Sequence, residues 1–163
     1  MRLKLLLAIA LLVPLAARTA AAIPQAGPRN AAFDTMVTNV GKITDTAEKG
    51  RWQANVDMWR VRLAQSGALT PADVTTLQDC FDAMKTNVSA ITVAGERNRW
   101  HANVDLWEAV ITHPRAMSQA DVDAAKSSIA RMKMIVSLLK AGDEKERWQS
   151  NVDLWQAFIE PLN

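Results

Sequence analysis

The nine residues RWQANVDMW at positions 51–59 recur as RWHANVDLW at 99–107 and as RWQSNVDLW at 147–155. Both steps are 48 residues long, and six of the nine positions are identical in all three copies. All six tryptophans of the chain lie in these segments. A fixed period of this length is typical of a protein built from repeats of one supersecondary unit.

The apolar positions of each motif follow the spacing of an α-helix. Trp52, Val56 and Trp59 are separated by four and then three residues, and the other two copies keep these steps. A second apolar series upstream also shifts by 48 residues: Phe33, Phe81 and Ile129; Met36, Met84 and Met132; Val40, Val88 and Val136; and Ile43, Ile91 and Leu139. Because steps of three and four line one face of a helix, each repeat is predicted to contain two amphipathic helices.

The predicted fold is all-α, with three tandem helical hairpins of 48 residues and six helices in all. The repeats are expected at about 23–68, 69–116 and 117–163, within a single domain. They would be stacked as a short solenoid or closed into a compact bundle, because such repeats bury their apolar faces only against neighbours. Thr70 and Ser118 are expected to cap the first helix of the second and third repeats.

The first 22 residues have the features of a signal peptide. A basic start at Arg2 and Lys4 precedes an apolar run of about 13 residues, and Ala20 and Ala22 form a small-residue cleavage site. The run is shorter than the roughly 18 to 20 residues of a membrane-spanning helix. We therefore expect an exported protein, periplasmic or secreted, that begins near Ile23 and is not stably inserted in a membrane.

Composition argues against several functional classes. Without the leader the chain has 16 basic and 17 acidic residues and no block of like charges, so neither nucleic acid nor an anionic membrane is an expected partner. The single cysteine, Cys80, is expected to be buried and unreactive. His101 and His113 lack companions at metal-ligand spacing, and no catalytic motif is present. We expect no catalysis, no metal and no cofactor.

The tryptophans are predicted to be core residues, because they share the apolar stripe with valine and leucine. This set comprises Trp52, Trp59, Trp100, Trp107, Trp148 and Trp155.

Three polar positions of the motif supply the candidate binding residues. The arginine is never lysine, which favours a planar guanidinium that reaches a carbonyl or carboxylate of another helix or of a ligand. A glutamate three residues earlier in each copy would give only a weak ion pair within the helix. These glutamates are Glu48, Glu96 and Glu144. The nine candidates are Arg51, Asn55, Asp57, Arg99, Asn103, Asp105, Arg147, Asn151 and Asp153.

The asparagine and the aspartate need partners beyond their own helix. Asparagine in mid-helix costs roughly 0.5 to 0.7 kcal/mol relative to alanine. It is therefore expected to satisfy buried polar groups, such as the turn of the adjacent hairpin, or to hold an extended peptide backbone. The aspartate has no consistent partner at helical spacing, so it is expected to contact a neighbouring repeat or a basic partner.

These residues lead to three hypotheses for function. The first is an exported, non-catalytic binding or adaptor protein that recognises a protein or an extended peptide through the repeated Arg, Asn and Asp edges. The second is a carrier of a small carbohydrate or aromatic molecule, which requires tryptophans that solvent can reach. The third is a purely structural repeat, whose motif locks the hairpins together and whose function lies in the loops.

Overall fold

The computed structural model describes residues 26–65 and 67–162, and the predicted signal peptide lies outside these ranges. No β-strand occurs in either range, and none of the helices there is long and apolar enough to cross a membrane. The helices are α1 (Ala26–Gly41), α2 (Thr46–Ala64), α3 (Pro71–Ser89), α4 (Ala94–Thr112), α5 (Gln119–Ser137) and α6 (Asp143–Ile159), followed by a short 3-10 helix (Glu160–Leu162). The prediction of an all-α fold with six helices is confirmed.

The helices alternate between an inner and an outer layer. The inner helices α2, α4 and α6 carry the repeated motif and bury its tryptophans and asparagines almost completely. The outer helices α1, α3 and α5 cover them with a single apolar stripe, which in α3 consists of Leu77, Phe81, Met84 and Val88. The upstream apolar series of the sequence is therefore the inward face of the outer layer.

The six helices form a closed ring. Each inner helix packs most extensively against the outer helix of the following repeat: α2 against α3, α4 against α5, and α6 against α1. The last pairing joins the end of the chain to its first described helix, so the third repeat contacts the first as the first contacts the second. Of the two arrangements that the sequence allows, the chain forms the closed bundle and not the open solenoid.

The outer helices α3 and α5 begin with reciprocal caps. The hydroxyl of Thr70 accepts from the backbone N–H of Asp73, whose carboxylate accepts from the Thr70 backbone N–H. Ser118 and Asp121 repeat the arrangement. The hydrogen bonds from Thr70 and Ser118 hold the pKa of each aspartate below its usual range. These caps are therefore complete at neutral pH and weaken as the pH falls through the lowered pKa values.

One hydrophobic core fills the interior of the ring. Its largest side chains are the six tryptophans, with Met36, Met84 and Met132 contributed by the outer helices. Cys80 is only partly buried at the margin of this core, and burial raises the pKa of its thiol. The thiol therefore stays protonated at neutral pH, which disfavours reactivity.

Removing the third repeat should abolish cooperative folding. A mature chain that ends after residue 115 lacks α5 and α6, and it exposes the indole surfaces that Trp148 and Trp155 cover. Each tryptophan buries about 150 to 250 Å², so two hairpins would lose much of their core. In thermal unfolding followed by circular dichroism, we expect a broad, shallow transition for the truncated chain. A sharp transition like that of the full mature chain would contradict the closed ring as the folding unit.

Candidate functional site

The three motif asparagines form a closed hydrogen-bonded triangle on the axis of the ring. The side-chain nitrogen of Asn103 donates to Oδ1 of Asn55 at 3.0 Å, that of Asn151 donates to Asn103 at 2.9 Å, and that of Asn55 donates to Asn151 at 3.0 Å. All three residues are 0% exposed. Each copy thus donates to one of the other two and accepts from the other, which explains an asparagine in the middle of a helix.

Further contacts complete the asparagine triangle. Oδ1 of Asn55 also accepts from Nε1 of Trp107 at 2.8 Å, and its Nδ2 lies 3.6 Å from Sδ of Met36. The equivalent contacts join Trp155 and Asn103, Trp59 and Asn151, Asn103 and Met84, and Asn151 and Met132. The buried groups that the asparagines satisfy are therefore each other and the tryptophans, not the turn of an adjacent hairpin. No amide group is left to hold a peptide.

Two triangles of tryptophans enclose the asparagine triangle. Ring centroids within the upper triangle lie 4.7 to 5.0 Å apart, and those within the lower triangle lie 4.6 to 4.9 Å apart. The upper triangle comprises Trp52, Trp100 and Trp148, and the lower triangle comprises Trp59, Trp107 and Trp155. All contacts are edge to face, and no tryptophan is more than 1% exposed. The indoles are core residues and offer no exposed aromatic platform.

The motif arginines connect consecutive repeats through ion pairs. The Nη2 atoms donate to glutamate Oε1 atoms at 2.5 to 2.7 Å in the pairs Arg51–Glu96, Arg99–Glu144 and Arg147–Glu48. The arginine side chains are only 7 to 8% exposed. The expected target, a carboxylate on another helix, is the one observed, and it lies in the next repeat around the ring. Desolvation lowers the pKa of Arg99, whereas the nearby glutamates raise it.

The motif aspartates lie on the outside of the ring and do not share one kind of partner. Asp57 and Asp153 accept hydrogen bonds from side chains of their own helices, whereas Asp105 pairs with Arg131 of α5 at 2.8 Å. Within the chain, Asp105 therefore has a partner beyond its own helix, whereas the partners of Asp57 and Asp153 lie within theirs. Of the nine candidate binding residues, only these three retain substantial exposure.

A small polar pocket opens on the ring axis where the inner helices begin. Three glutamates from the first turns of α2, α4 and α6 form its walls, and the upper tryptophan triangle forms its floor, with Arg147 at one side. The glutamates are Glu48, Glu96 and Glu144. The volume is about 200 Å³. The dipoles of three helix starts favour carboxylates at this end of the ring; α4 and α6 begin without a side-chain cap, whereas Asp45 caps α2. We call this site the axial pocket.

The floor of the axial pocket presents three indole N–H groups without a hydrogen-bond partner among the described residues: those of Trp52, Trp100 and Trp148. In those ranges the only buried side-chain nitrogens or oxygens that lack a partner are the Nε atoms of the motif arginines. The three indole nitrogens are therefore not fully buried, and the axial pocket is the opening that their residues line. The lower triangle differs, because its N–H groups all bind asparagine.

Sequence reasoning missed the axial pocket and the part that the glutamates play in it. The signal was present, because Glu48, Glu96 and Glu144 recur at the 48-residue interval. Each glutamate lies three residues before the motif arginine of its own helix, a spacing that favours an ion pair within that helix. The sequence therefore offered no sign that each glutamate binds the arginine of another helix. No set of three or more His, Cys, Asp or Glu side chains in the described ranges is arranged to hold a metal ion.

Asn103→Ala should lower the free energy of unfolding by about 2 to 4 kcal/mol, because it leaves the Trp155 N–H and part of two asparagine amides unsatisfied in the core. Chemical denaturation of the mature protein measures this change. Asn98→Ala is the matched control, since Asn98 lies on the same helix and is exposed, and it should be neutral or slightly stabilising. An Asn103 variant as stable as the wild type would exclude the asparagine triangle as a stabilising element.

Trp107→Phe should destabilise the protein more than Trp100→Phe does. Both changes remove the same atoms from one inner helix, but only Trp107 donates its N–H to an asparagine. The lost hydrogen bond predicts an additional loss of about 1 kcal/mol in the free energy of unfolding. Equal losses in parallel denaturation curves would show that the two indole N–H groups are not in different environments.

The chain matches no protein-family model, no curated protein and no solved structure. The geometry of the axial pocket and of the layers beneath it is therefore the basis on which a function is assigned.

Proposed function

We propose that the chain is an exported, non-catalytic binding protein that holds a small polar molecule in the axial pocket. The observation that carries the proposal is the set of three unpartnered indole N–H groups on the floor, facing a pocket walled by three carboxylates. Directly below, the asparagines and the lower tryptophans use their polar groups within the chain. Polar groups left open together in one concave place are typical of a ligand site.

The layers beneath the axial pocket support binding by holding its groups in place. Each wall glutamate is oriented by a buried arginine of the preceding repeat around the ring. The floor tryptophans pack against one another and rest on the asparagine triangle. Because these groups are fixed before a ligand arrives, binding need not order them, which favours affinity.

The composition of the axial pocket supports a binding role over a catalytic one. Its described lining consists of glutamate, tryptophan and Arg147, with no histidine, cysteine, serine or lysine. Each carboxylate already accepts a hydrogen bond from a guanidinium, so part of its hydrogen-bonding capacity is used within the chain. The pocket thus offers orientation and hydrogen bonding, without an evident nucleophile.

A protein partner is the second candidate. It is favoured by two exposed apolar residues of the third repeat that the other two repeats do not have. Met134 lies in the last turn of α5 and is 63% exposed, and Leu138, the residue that ends this helix, is 80% exposed. The equivalent positions in the other two repeats hold threonine at the first site, and lysine or alanine at the second. Apolar groups exposed together are typical of interaction surfaces. With the motif arginines and asparagines buried, this surface and the motif aspartates are where a protein partner would bind.

A ligand of the axial pocket should raise the melting temperature of the mature protein. At ten times its Kd, a ligand stabilises the folded state by about 1.4 kcal/mol, which corresponds to a shift of roughly 3 to 6 °C. The measurement is a thermal-shift titration with polyols, amines and carboxylates. Glu96→Gln, which removes one wall charge at constant shape, should reduce the shift produced by the active compound.

Two variants control this experiment. Glu108→Gln makes the same chemical change at an exposed position farther along α4 and should preserve the shift. Met134→Thr restores the residue of the other two repeats on a separate surface and should preserve it as well. The proposed function is wrong if none of the compounds shifts the melting temperature, or if Glu96→Gln responds as the wild type does.

A further inference from the structure

We infer that the ligand of the axial pocket is a neutral polyhydroxylated molecule of the size of a small polyol or monosaccharide. This inference rests on the proposed function and specifies its ligand. It follows from the balance of charge, the balance of donors and acceptors, and the shape of the site. Each of the three excludes a different competing class of ligand.

The charges around the axial pocket cancel. Three glutamates form its walls, and three arginines bind them at 2.5 to 2.7 Å. A cation would be attracted by the carboxylates but repelled by guanidiniums one hydrogen bond away, and an anion would meet the reverse. Neither an amine nor a carboxylate therefore gains a net Coulomb attraction from the site. A neutral ligand therefore forgoes no Coulomb attraction that a charged ligand would gain.

The hydrogen-bonding groups of the axial pocket favour a hydroxyl over a charged group. The floor offers three N–H donors, from Trp52, Trp100 and Trp148, and the walls offer carboxylate acceptors. An ammonium group only donates, so it would leave the indole N–H groups unpaired, and a carboxylate only accepts, so it would leave unused the glutamate lone pairs that the arginines do not occupy. A hydroxyl group accepts from an indole and donates to a glutamate at once. Several hydroxyl groups therefore satisfy both sets, which avoids the penalty of unpaired buried groups.

The shape of the axial pocket limits the size of the ligand and excludes stacking. A volume of about 200 Å³ is close to the roughly 150 Å³ of an engineered cavity that binds benzene in another protein, so the ligand is small. The indole faces are partly covered, because each motif arginine lies over a tryptophan of the upper triangle, with centroid distances of 5.5 to 6.0 Å. An aromatic ligand therefore finds no open platform. The donor and acceptor groups recur three times about the axis, an arrangement that a ring or branched chain of hydroxyl groups matches.

The test compares four small probes by isothermal titration calorimetry on the mature protein. The probes are myo-inositol as the polyol, cyclohexanol as its counterpart with one hydroxyl group, 1,5-diaminopentane as the cation and citrate as the anion. We expect myo-inositol to bind at least tenfold more tightly than the other three. Tighter binding of the diamine, citrate or cyclohexanol would overturn the inference while leaving the proposed small-molecule function intact. If none of the four probes binds, the inference is overturned, and the thermal-shift titration decides whether the proposed small-molecule function stands.

Matched tryptophan variants test the site of binding. Trp148→Phe removes one floor N–H but keeps an aromatic ring, and it should weaken myo-inositol binding by about three- to tenfold. Trp155→Phe makes the same change in the lower triangle, where the N–H binds Asn103. It should lower stability and leave affinity unchanged. Trp52→Phe repeats the floor test at an equivalent position if the Trp148 variant does not fold. Equal affinity in floor variants and wild type would overturn the assignment of the indole N–H groups to the ligand.

Discussion

The closed asparagine triangle is the constraint on which the rest of the structure depends. Asn55, Asn103 and Asn151 each donate to one copy and accept from another, and this scheme is complete only when the third repeat returns to the first. An open stack of the same hairpins would leave a buried donor at one end and a buried acceptor at the other, at about 1 to 3 kcal/mol for each unsatisfied group. Apolar packing alone favours any arrangement of the hairpins that buries the apolar faces of their helices. The asparagines favour the ring.

The same geometry explains which motif positions are identical in all three copies. Side chains on the axis contact their own equivalents in the other two repeats, so a change in one copy breaks contacts with both neighbours. This holds for the asparagines, for both tryptophan triangles and, through the glutamates, for the arginines. Val56, Val104 and Val152 are identical as well and belong to the buried core. The identity of Asp57, Asp105 and Asp153 has no such explanation, because their partners differ.

Periodicity in the sequence predicts the helices and their buried faces but not what those faces pack against. The stripe through Trp52, Val56 and Trp59 placed the tryptophans in the core, and the caps at Thr70 and Ser118 gave the starts of α3 and α5. Closure was beyond this reasoning, because a helical stripe looks the same in a solenoid and in a ring. The arginine partners were beyond it as well. Glu96 lies 45 residues from Arg51 in the sequence, and the two side chains meet only because the ring brings α2 and α4 around one axis.

The axial pocket follows from the hydrogen-bonding capacity of the asparagine triangle. A carbonyl oxygen has two lone pairs, and each asparagine Oδ1 already accepts from one asparagine and one lower tryptophan. Three acceptors can therefore serve three of the six indole N–H groups, and the upper triangle must find partners elsewhere. Without a partner or a pocket, the indole N–H groups of the upper triangle would be buried and unpaired. Their residues instead line the axial pocket, whose walls carry carboxylates. The interaction that closes the ring thus creates, by exhausting its own acceptors, three fixed donors for a ligand.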